Sequence, residues 1–166
     1  MAEVFILLGG NVGDMTTILG LAQNLVGKRV GSIIKKSSIY ATESWGFKSA
    51  QFWNQVIILE TDLSPHKLLN ETKNIERELG RSNKTIEISG TDSYQDRIID
   101  IDLLFYDELE INSEELTIPH PKISERRFVL VPLNEVAPEK YHPCLGKKVK
   151  ELLQLCEDHL KVDRID

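Results

Sequence analysis

Residues 97–106 read Arg-Ile-Ile-Asp-Ile-Asp-Leu-Leu-Phe-Tyr, and they constrain the fold most because they place two carboxylates in an apolar segment typical of a β-strand. Side chains of a strand alternate between two faces, so Asp100 and Asp102 share one face, roughly 6.6 Å apart at a rise of about 3.3 Å per residue. The opposite face is apolar and consists of Ile99, Ile101, Leu103 and Phe105. The pattern predicts a rigid strand that presents a pair of carboxylates.

The carboxylate pair suggests a metal site. Ionised carboxylates are rarely buried unless they are paired or bind a metal. Oxygen ligands favour Mg²⁺, which is commonly held by one or two carboxylates together with substrate phosphates. The alternative is an edge strand whose Asp100 and Asp102 side chains face water. The spacing of the two aspartates by itself leaves both interpretations open.

Length and composition predict one globular domain covering residues 1–166. The chain is 41% hydrophobic and 28% charged, as soluble proteins are, and no run of apolar residues is long enough to span a bilayer. Residues 1–3 lack the basic start of a signal peptide, so the cytoplasm is the expected compartment. Cys144 and Cys156 are widely spaced and outside any metal-binding motif, which indicates reduced thiols.

The net charge of −6 argues against nucleic acid as a partner, because binding it requires a basic face that neutralises phosphates. A polyanionic substrate would have to be met by a local basic cluster together with metal.

The remaining pattern alternates strands and helices. Strands are predicted at Val4–Leu8, Ser32–Ile39 and Trp53–Thr61. The first helix begins after Asp14 as N-cap and ends at Gly27, and the second begins at Ser64-Pro65 and ends at Gly80. A last amphipathic helix contains Val149, Leu152, Leu153, Cys156 and Leu160.

Two connections have functional interpretations. The loop Tyr40–Phe52 carries Trp45, Phe47 and Phe52, which either line a pocket for a flat heterocycle or cover one end of the core. The connection Arg81–Asp96 is long and leads directly into the carboxylate strand. It is either a lid that closes over phosphates or a solvated, charge-rich loop.

A turn region follows the carboxylate strand and precedes a constrained histidine. The residues Asp107–Asn112 predict a hairpin. His120 then lies between two prolines, which fix the backbone on both sides and restrict where its imidazole points, so it could donate to a phosphate oxygen. Of the adjacent Arg126 and Arg127, an extended segment would turn only one toward a site.

Three motifs together resemble one family. They are Gly-Gly-Asn-Val-Gly-Asp at 9–14, Arg-Ile-Ile-Asp-Ile-Asp at 97–102, and Pro-His-Pro at 119–121 followed by Glu-Arg-Arg-Phe-Val-Leu at 125–130. In order, spacing and flanking pattern they are similar to 6-hydroxymethyl-7,8-dihydropterin pyrophosphokinases of folate biosynthesis. The resemblance implies an α+β fold, a ferredoxin-like sandwich with an antiparallel β-sheet covered by helices. It also implies a monomer that transfers the diphosphate of ATP to the pterin hydroxymethyl group and releases AMP.

The resemblance also implies roles for individual residues. Asp100 and Asp102 match the aspartates that hold two Mg²⁺ ions, and Arg81 and Arg97 match arginines that stabilise the moving diphosphate. The positions that match the ATP site are Glu76, Lys84, Arg97, Ile101, His120 and Arg126. Those that match the pterin site are Thr42, Glu43, Trp45, Trp53, Asn54 and Phe128, where Trp53 replaces a usual Tyr or Phe.

Two other classes of function remain open from the residues. One is a small-molecule-binding regulatory module without catalysis, because fold does not imply function. The other is a Mg²⁺-dependent phosphatase or nuclease built on the same carboxylates, although the acidic net charge weighs against a nuclease. Release of AMP that requires the pterin would exclude both.

Overall fold

The computed structural model describes residues 1–43, 51–81 and 98–166. An antiparallel sheet of six strands forms its centre, in the order β10-β3-β4-β1-β5 with β2 also paired to β4. The strands are β1 (Ala2–Gly10), β2 (Ser32–Lys36), β3 (Tyr40–Thr42), β4 (Phe52–Thr61), β5 (Asp100–Tyr106) and β10 (Val162–Arg164). The predicted strand over 32–39 therefore ends at Lys36, and β3 begins at Tyr40, in the predicted loop; both strands pair with β4. The α+β prediction is confirmed.

Helices cover both faces of this sheet. They are α1 (Met15–Arg29), α2 (Pro65–Arg81), α3 (Arg127–Val136) and α4 (Val149–Leu155). On one face, α1 and α2 pack on β1 and β4 around a core that includes Ile6, Leu19, Leu59 and Ile75. On the other face, α3 and α4 pack around Leu7, Val56, Leu130 and Leu152. The sheet thus separates two apolar cores.

Local signals account for the two long helices. Asp14 caps α1, because its carboxylate accepts hydrogen bonds from the Thr17 backbone nitrogen at 3.3 Å and the Thr17 hydroxyl at 2.7 Å. The helix passes the predicted stop at Gly27 and ends at Arg29, while α2 ends at Arg81, one residue after Gly80. In α2 the predicted apolar stripe is buried or half-buried.

A β-bulge interrupts the pairing of β5 with β1. Phe5 lies opposite Phe105, yet the next residue of β1, Ile6, lies opposite Leu103, so Leu104 is an extra residue. As a result Phe105 joins the core beneath α3 and α4, whereas Ile101 and Leu103 join the core beneath α1 and α2. The prediction that Phe105 shares a face with those two residues is wrong for this reason.

The hairpin after β5 also differs from the prediction. Asp107 does turn the chain, with a positive φ of 48°. The following strand β6 (Ile111–Asn112), however, pairs with β7 (Thr117–Ile118) and not with β5. A second small hairpin joins β8 (Tyr141–His142) to β9 (Lys147–Lys148).

The C-terminal helix is shorter than predicted. It ends at Leu155, Cys156 is its C-cap, and Leu160 lies in the irregular segment beyond it. The chain then forms β10, which pairs antiparallel with β3. Both cysteines are free thiols, as predicted.

Glu135 of α3 fastens this helix to the segment before β3. Its carboxylate accepts hydrogen bonds from the Ser38 backbone nitrogen and hydroxyl and from the Tyr40 hydroxyl, at 2.8 to 3.0 Å. Burial and the bond to Glu135 raise the pKa of Tyr40 to about 12. Burial works toward a higher pKa for Glu135, but the bonds from Tyr40 and Ser38 outweigh it, so the pKa is lowered. This contact fixes α3 beside the strand that borders the cavity described below.

Among the residues with described structure, no helix combines the length and apolar character needed to cross a membrane.

Candidate active site

The carboxylate strand β5 lies at one edge of the main sheet and at the wall of a cavity. Asp100 and Asp102 are half-buried and both line this cavity, while Ile101 between them is buried. The strand is therefore an edge strand of the sheet, and both of its aspartates line one cavity. The carboxylate oxygens are placed to meet a ligand that enters the cavity.

This space, called the main cavity here, has a volume of about 530 Å³. Its walls come from β1, β3, β4, β5, α3 and the segment after α4. It is lined by Leu7, Gly9, Thr42, Glu43, Phe52, Asn54, Asp100, Asp102, Arg126, Phe128 and Leu160. Most of the surface that the lining exposes is apolar, although six of the eleven residues are polar or charged, and this combination is usual for sites that bind a small molecule.

Two polar atoms are buried at this cavity. The Thr42 hydroxyl and the Asn54 side-chain oxygen have no hydrogen-bond partner within the described parts of the chain. Buried polar atoms normally have partners, so these two atoms fit a ligand that donates hydrogen bonds. Gly9 lies opposite Asn54 in the sheet, and a β-carbon on Gly9 would collide with the Asn54 amide nitrogen. The glycine therefore makes room for the Asn54 amide.

The aromatic wall contributed by β4 is Phe52 and not Trp53. Side chains along β4 alternate, so Phe52 and Asn54 share the cavity face. Trp53 points to the other side of the sheet and packs against the core beneath α1 and α2. The sequence pattern assigned Trp53 to the pterin wall, whereas on this cavity the aromatic side chain of β4 is that of Phe52.

Helix α3 supplies the second aromatic wall. Phe128 lines the cavity, and the Arg126 guanidinium carbon lies 5.8 Å from the centre of its ring. Arg126 itself is extended, as assumed, but Arg127 is already the first residue of α3. Of the two arginines, Arg126 lines the cavity and Arg127 does not. The Arg127 backbone nitrogen donates a hydrogen bond to the Asp158 carboxylate at 3.0 Å.

His120 is held by its backbone and by its ring. Its backbone nitrogen donates to the carbonyl of Leu104, the bulged residue of β5, at 3.0 Å. The peptide bond between Ile118 and Pro119, one residue earlier in the chain, is cis. The Nδ1 atom accepts the Lys122 backbone N–H at 3.1 Å, which leaves Nε2 to carry the proton of the neutral ring. Burial, then the charges of Arg126 and Lys122, lower the pKa of His120. The neutral imidazole can therefore donate a hydrogen bond from Nε2.

A second cavity of about 320 Å³, called the side cavity, lies beyond the edge of β5. Three predicted ATP-site residues line it, namely Glu76, Ile101 and His120. Its other lining residues are Leu69, Lys73, Asp102, Leu103, Glu114, Glu115, Leu116, Thr117 and Pro121. Asp102 lines both cavities, so this carboxylate lies at their junction.

The carboxylates at the junction of the two cavities suit a Mg²⁺ ion whose coordination another ligand completes. Within the described residues there is no group of three or more His, Cys, Asp or Glu side chains arranged to hold a metal ion. Two carboxylates on one cavity wall are nevertheless the ligands that Mg²⁺ commonly takes when substrate phosphates complete its coordination. The site thus suits a metal that arrives with a phosphate ligand.

Several predicted site residues lie outside the described structure. They are Trp45, Lys84 and Arg97, together with Phe47 of the aromatic loop. For Arg81 only its place at the end of α2 is described. The proposed lid Arg81–Asp96 likewise falls almost wholly in the undescribed range.

Three residues that line the main cavity were not among the predicted site residues, namely Leu7, Gly9 and Leu160. Leu160 lines the main cavity from the segment between α4 and β10. The predicted C-terminal helix included Leu160 as one more apolar position, because Leu153, Cys156 and Leu160 keep a helical spacing that the polar residues between them do not interrupt.

Comparisons with known proteins agree on one family. Residues 5–138 match the family model of 7,8-dihydro-6-hydroxymethylpterin-pyrophosphokinase. The 2-amino-4-hydroxy-6-hydroxymethyldihydropteridine pyrophosphokinase of Porphyromonas gingivalis is 43% identical over 140 residues, which are 83% of this chain and 92% of that protein. The enzyme of the same name from Bacillus subtilis is 38% identical over 134 residues, which are 80% of this chain and 76% of that protein.

Solved structures agree on the fold. Wild-type HPPK-DHPS of Plasmodium falciparum superposes with a TM-score of 0.73 at 18% identity. The match covers 93% of this chain but only 44% of that longer one, so this chain spans less than half of its length. Family model, relatives and architecture coincide: the chain belongs to the 7,8-dihydro-6-hydroxymethylpterin-pyrophosphokinase family and is a pyrophosphokinase of folate biosynthesis.

Proposed function

We propose that this pyrophosphokinase takes its diphosphate from ATP, with two Mg²⁺ ions held by Asp100 and Asp102, and releases AMP. The acceptor is the hydroxymethyl group of 6-hydroxymethyl-7,8-dihydropterin. The observation that carries the proposal is the position of Asp102 at the junction of the main and side cavities. A diphosphate that moves from ATP in the side cavity to the pterin in the main cavity passes Asp100 and Asp102.

The main cavity suits the pterin. Phe52 and Phe128 offer aromatic surface to a flat ring, and about 530 Å³ lies within the range of small-molecule sites. Asn54 and Thr42 present their buried oxygens to the donor groups on the edge of the ring. Glu43 is exposed at the rim of the cavity and adds a polar group there. These contacts orient the hydroxymethyl group toward the carboxylates.

The side cavity suits the nucleoside part of ATP. Leu69, Ile101, Leu103 and Leu116 give it apolar surface, and Lys73 and Thr117 add polar groups. His120, which also lines this cavity, donates from Nε2 to a phosphate oxygen, because its Nδ1 already accepts the Lys122 N–H. Arg126, which lines the main cavity, adds a positive charge for the polyphosphate.

Positioning and charge neutralisation carry most of the rate enhancement in reactions of this type. Asp100 and Asp102 would hold Mg²⁺, which would supply positive charge to neutralise the phosphates. The chain contributes fixed carboxylates, because Glu76 of α2 holds β5 through the backbone nitrogen of Ile101. We include Arg81, Lys84 and Arg97 in the proposal from their match to the family pattern.

We also propose that the chain acts as a monomer in the cytoplasm, without nucleic-acid or membrane partners. The free thiols of Cys144 and Cys156 suit a reducing compartment, and the net charge of −6 disfavours nucleic acid.

The test mixes the protein with ATP, Mg²⁺ and 6-hydroxymethyl-7,8-dihydropterin and separates AMP, ADP and inorganic phosphate by chromatography. We expect AMP that depends on the pterin and on Mg²⁺. The Asp102→Asn variant should fold and lose activity by at least about 100-fold, as loss of a metal-site group does. The matched control is Asp62→Asn, an exposed aspartate directly after β4 at the end far from Phe52.

Other products would contradict the proposal. ADP would indicate ordinary kinase chemistry, and phosphate without AMP would indicate a phosphatase. Binding of both ligands without turnover would indicate a regulatory binder.

A further inference from the structure

We infer that Asp158 and Leu160, in the segment that joins α4 to β10, complete the pterin site, with Leu160 as its outer wall and Asp158 as a positioning residue. This inference rests on the proposed placement of the pterin in the main cavity. Both residues lie beyond residues 5–138, the stretch that matches the family model. They therefore extend the site with a part of the chain that the family match does not reach.

Leu160 separates the main cavity from a neighbouring groove. The groove, about 970 Å³ in volume, runs along α4 and the segment after it. Arg126, Phe128 and Leu160 line both spaces. Because Phe128 is an aromatic wall of the main cavity, Leu160 beside it closes the apolar surface around a bound ring. Its removal would join the cavity to the groove and admit water to the ring.

Asp158 ties this wall to helix α3 with one carboxylate. Its Oδ1 atom accepts the backbone N–H of Leu160 at 3.0 Å, and its Oδ2 atom accepts the backbone N–H of Arg127 at 3.0 Å. Arg127 is the first residue of α3 and lies between Arg126 and Phe128. One side chain thus fixes three neighbouring lining residues relative to one another. A carboxylate is well suited to this role, because each of its oxygens accepts a hydrogen bond from an orphan or loop N–H.

The end of the chain holds the same segment against the opposite wall. In the pairing of β10 with β3, Val162 lies opposite Thr42, whose hydroxyl is buried at the main cavity. The Asp166 carboxylate accepts the Ile39 backbone N–H at 2.8 Å, and the Ile165 backbone nitrogen donates to the Ile39 carbonyl at 3.0 Å. The segment is therefore fastened on both sides of the cavity, to α3 by Asp158 and to β3 by β10.

The experiment measures binding of 6-hydroxymethyl-7,8-dihydropterin and of Mg²⁺-ATP separately, by fluorescence titration and calorimetry, on the full chain. We expect Leu160→Ala to raise the pterin Kd about tenfold or more, since loss of even one methylene from a substrate pocket has an effect of this order. The Kd for ATP should stay within about twofold. The matched control is Leu155→Ala, which removes a 63% exposed leucine that lines the groove but not the main cavity.

Asp158→Ala should raise the pterin Kd in the same way, and Glu157→Ala, next to it and exposed, should not. The pterin Kd of Asp158→Asn, which keeps one acceptor oxygen, should lie between those of Asp158→Ala and Glu157→Ala. Leu160→Met, which nearly conserves volume, should restore pterin binding. If Asp158→Ala does not fold, Asp158→Asn and the two Leu160 variants decide the question.

Two results would overturn the inference. One is an unchanged pterin Kd in Leu160→Ala and in Asp158→Asn. The other is a parallel loss of pterin affinity, ATP affinity and Tm, which would indicate only a general loss of stability. Because pterin binding is measured without ATP, the outcome is independent of whether the wild type releases AMP.

Discussion

Glu76 of α2 accepts a hydrogen bond from the backbone nitrogen of Ile101 at 2.9 Å, and Ile101 lies between the two aspartates of β5. Because β5 is an edge strand of the sheet, one side of its backbone has no neighbouring strand among the described residues. The Glu76 carboxylate takes the place of that neighbour at this point. A helix thus fixes the part of the strand that carries the carboxylate pair.

From this contact we expect Glu76→Ala to leave the Ile101 N–H without its acceptor and to lower the free energy of unfolding by about 1–3 kcal/mol. The concentration of Mg²⁺ needed for half-maximal turnover should rise. Glu76→Gln keeps an acceptor oxygen and should retain most of the stability. Urea denaturation and a Mg²⁺ titration of AMP release check this, and equal stability of the alanine and wild-type proteins would contradict it.

The two adjacent aromatic residues of β4 should respond differently to truncation. Phe52 is 40% exposed and faces the main cavity, so Phe52→Ala should raise the KM for the pterin about tenfold with little change in stability. Trp53 packs on the core beneath α1 and α2, so Trp53→Ala should instead lower the unfolding free energy by about 2 kcal/mol. Steady-state kinetics and denaturation of both variants test the assignment, and the reverse pattern would restore Trp53 to the cavity.

Gly9→Ala should impair the site while leaving the fold intact. The new β-carbon would collide with the Asn54 amide, which must then move away from its place at the cavity. We expect pterin affinity to fall at least about tenfold, since a misplaced polar group in a pocket removes a specific hydrogen bond. Gly20→Ala is the control, because a β-carbon there meets nothing within 4 Å. In α1 it should stabilise the protein by about 0.5–1 kcal/mol.

His120 gives a prediction about pH. Burial, then Arg126 and Lys122, lower its folded-state pKa below the ordinary value of about 6.5. Below about pH 6.5 the unfolded chain therefore takes up this proton before the folded chain does, and the stability of the protein decreases as the pH falls. Above that pH the residue contributes no pH dependence. Denaturation between pH 5 and 8, about the range in which histidine titrates, should show a steeper loss in the wild type than in His120→Gln. Parallel curves would count against a depressed pKa.

Long, regular patterns made much of the fold predictable from sequence. The apolar run at 4–8, the helices after Asp14 and Ser64, and the carboxylate strand each depend on local periodicity, and each is present. The predicted helix ends are one or two residues too early, because Gly27 and Gly80 are tolerated within the last turn of α1 and α2. Strand β10 has no such pattern. Its sequence Val-Asp-Arg is polar, and it is a strand because β3 offers it an edge.

The site was predictable where the spacing of residues fixes a common face, and less so where tertiary packing decides. The i, i+2 relation placed Asp100 and Asp102 at one cavity. The same relation links Phe52 to Asn54, so Trp53 could have been excluded from sequence by requiring it to share a face with Asn54. Leu160 and Asp158 could not be found in this way, since only the folded chain brings residues 158–160 to the start of α3.

The bulge at Leu104 has a consequence for the length of β5. The carbonyl of the extra residue accepts the N–H of His120, while the residues before it keep the aspartates on the cavity face. Removal of Leu104 would give β5 and β1 an uninterrupted register, but either the aspartates or Phe105 would then turn to the opposite face, and His120 would lose its acceptor. The number of residues between the carboxylates and Tyr106 is therefore fixed. Engineered variants can exchange side chains along β5, but a residue inserted or deleted there would turn the aspartates or Phe105 to the wrong face of the sheet.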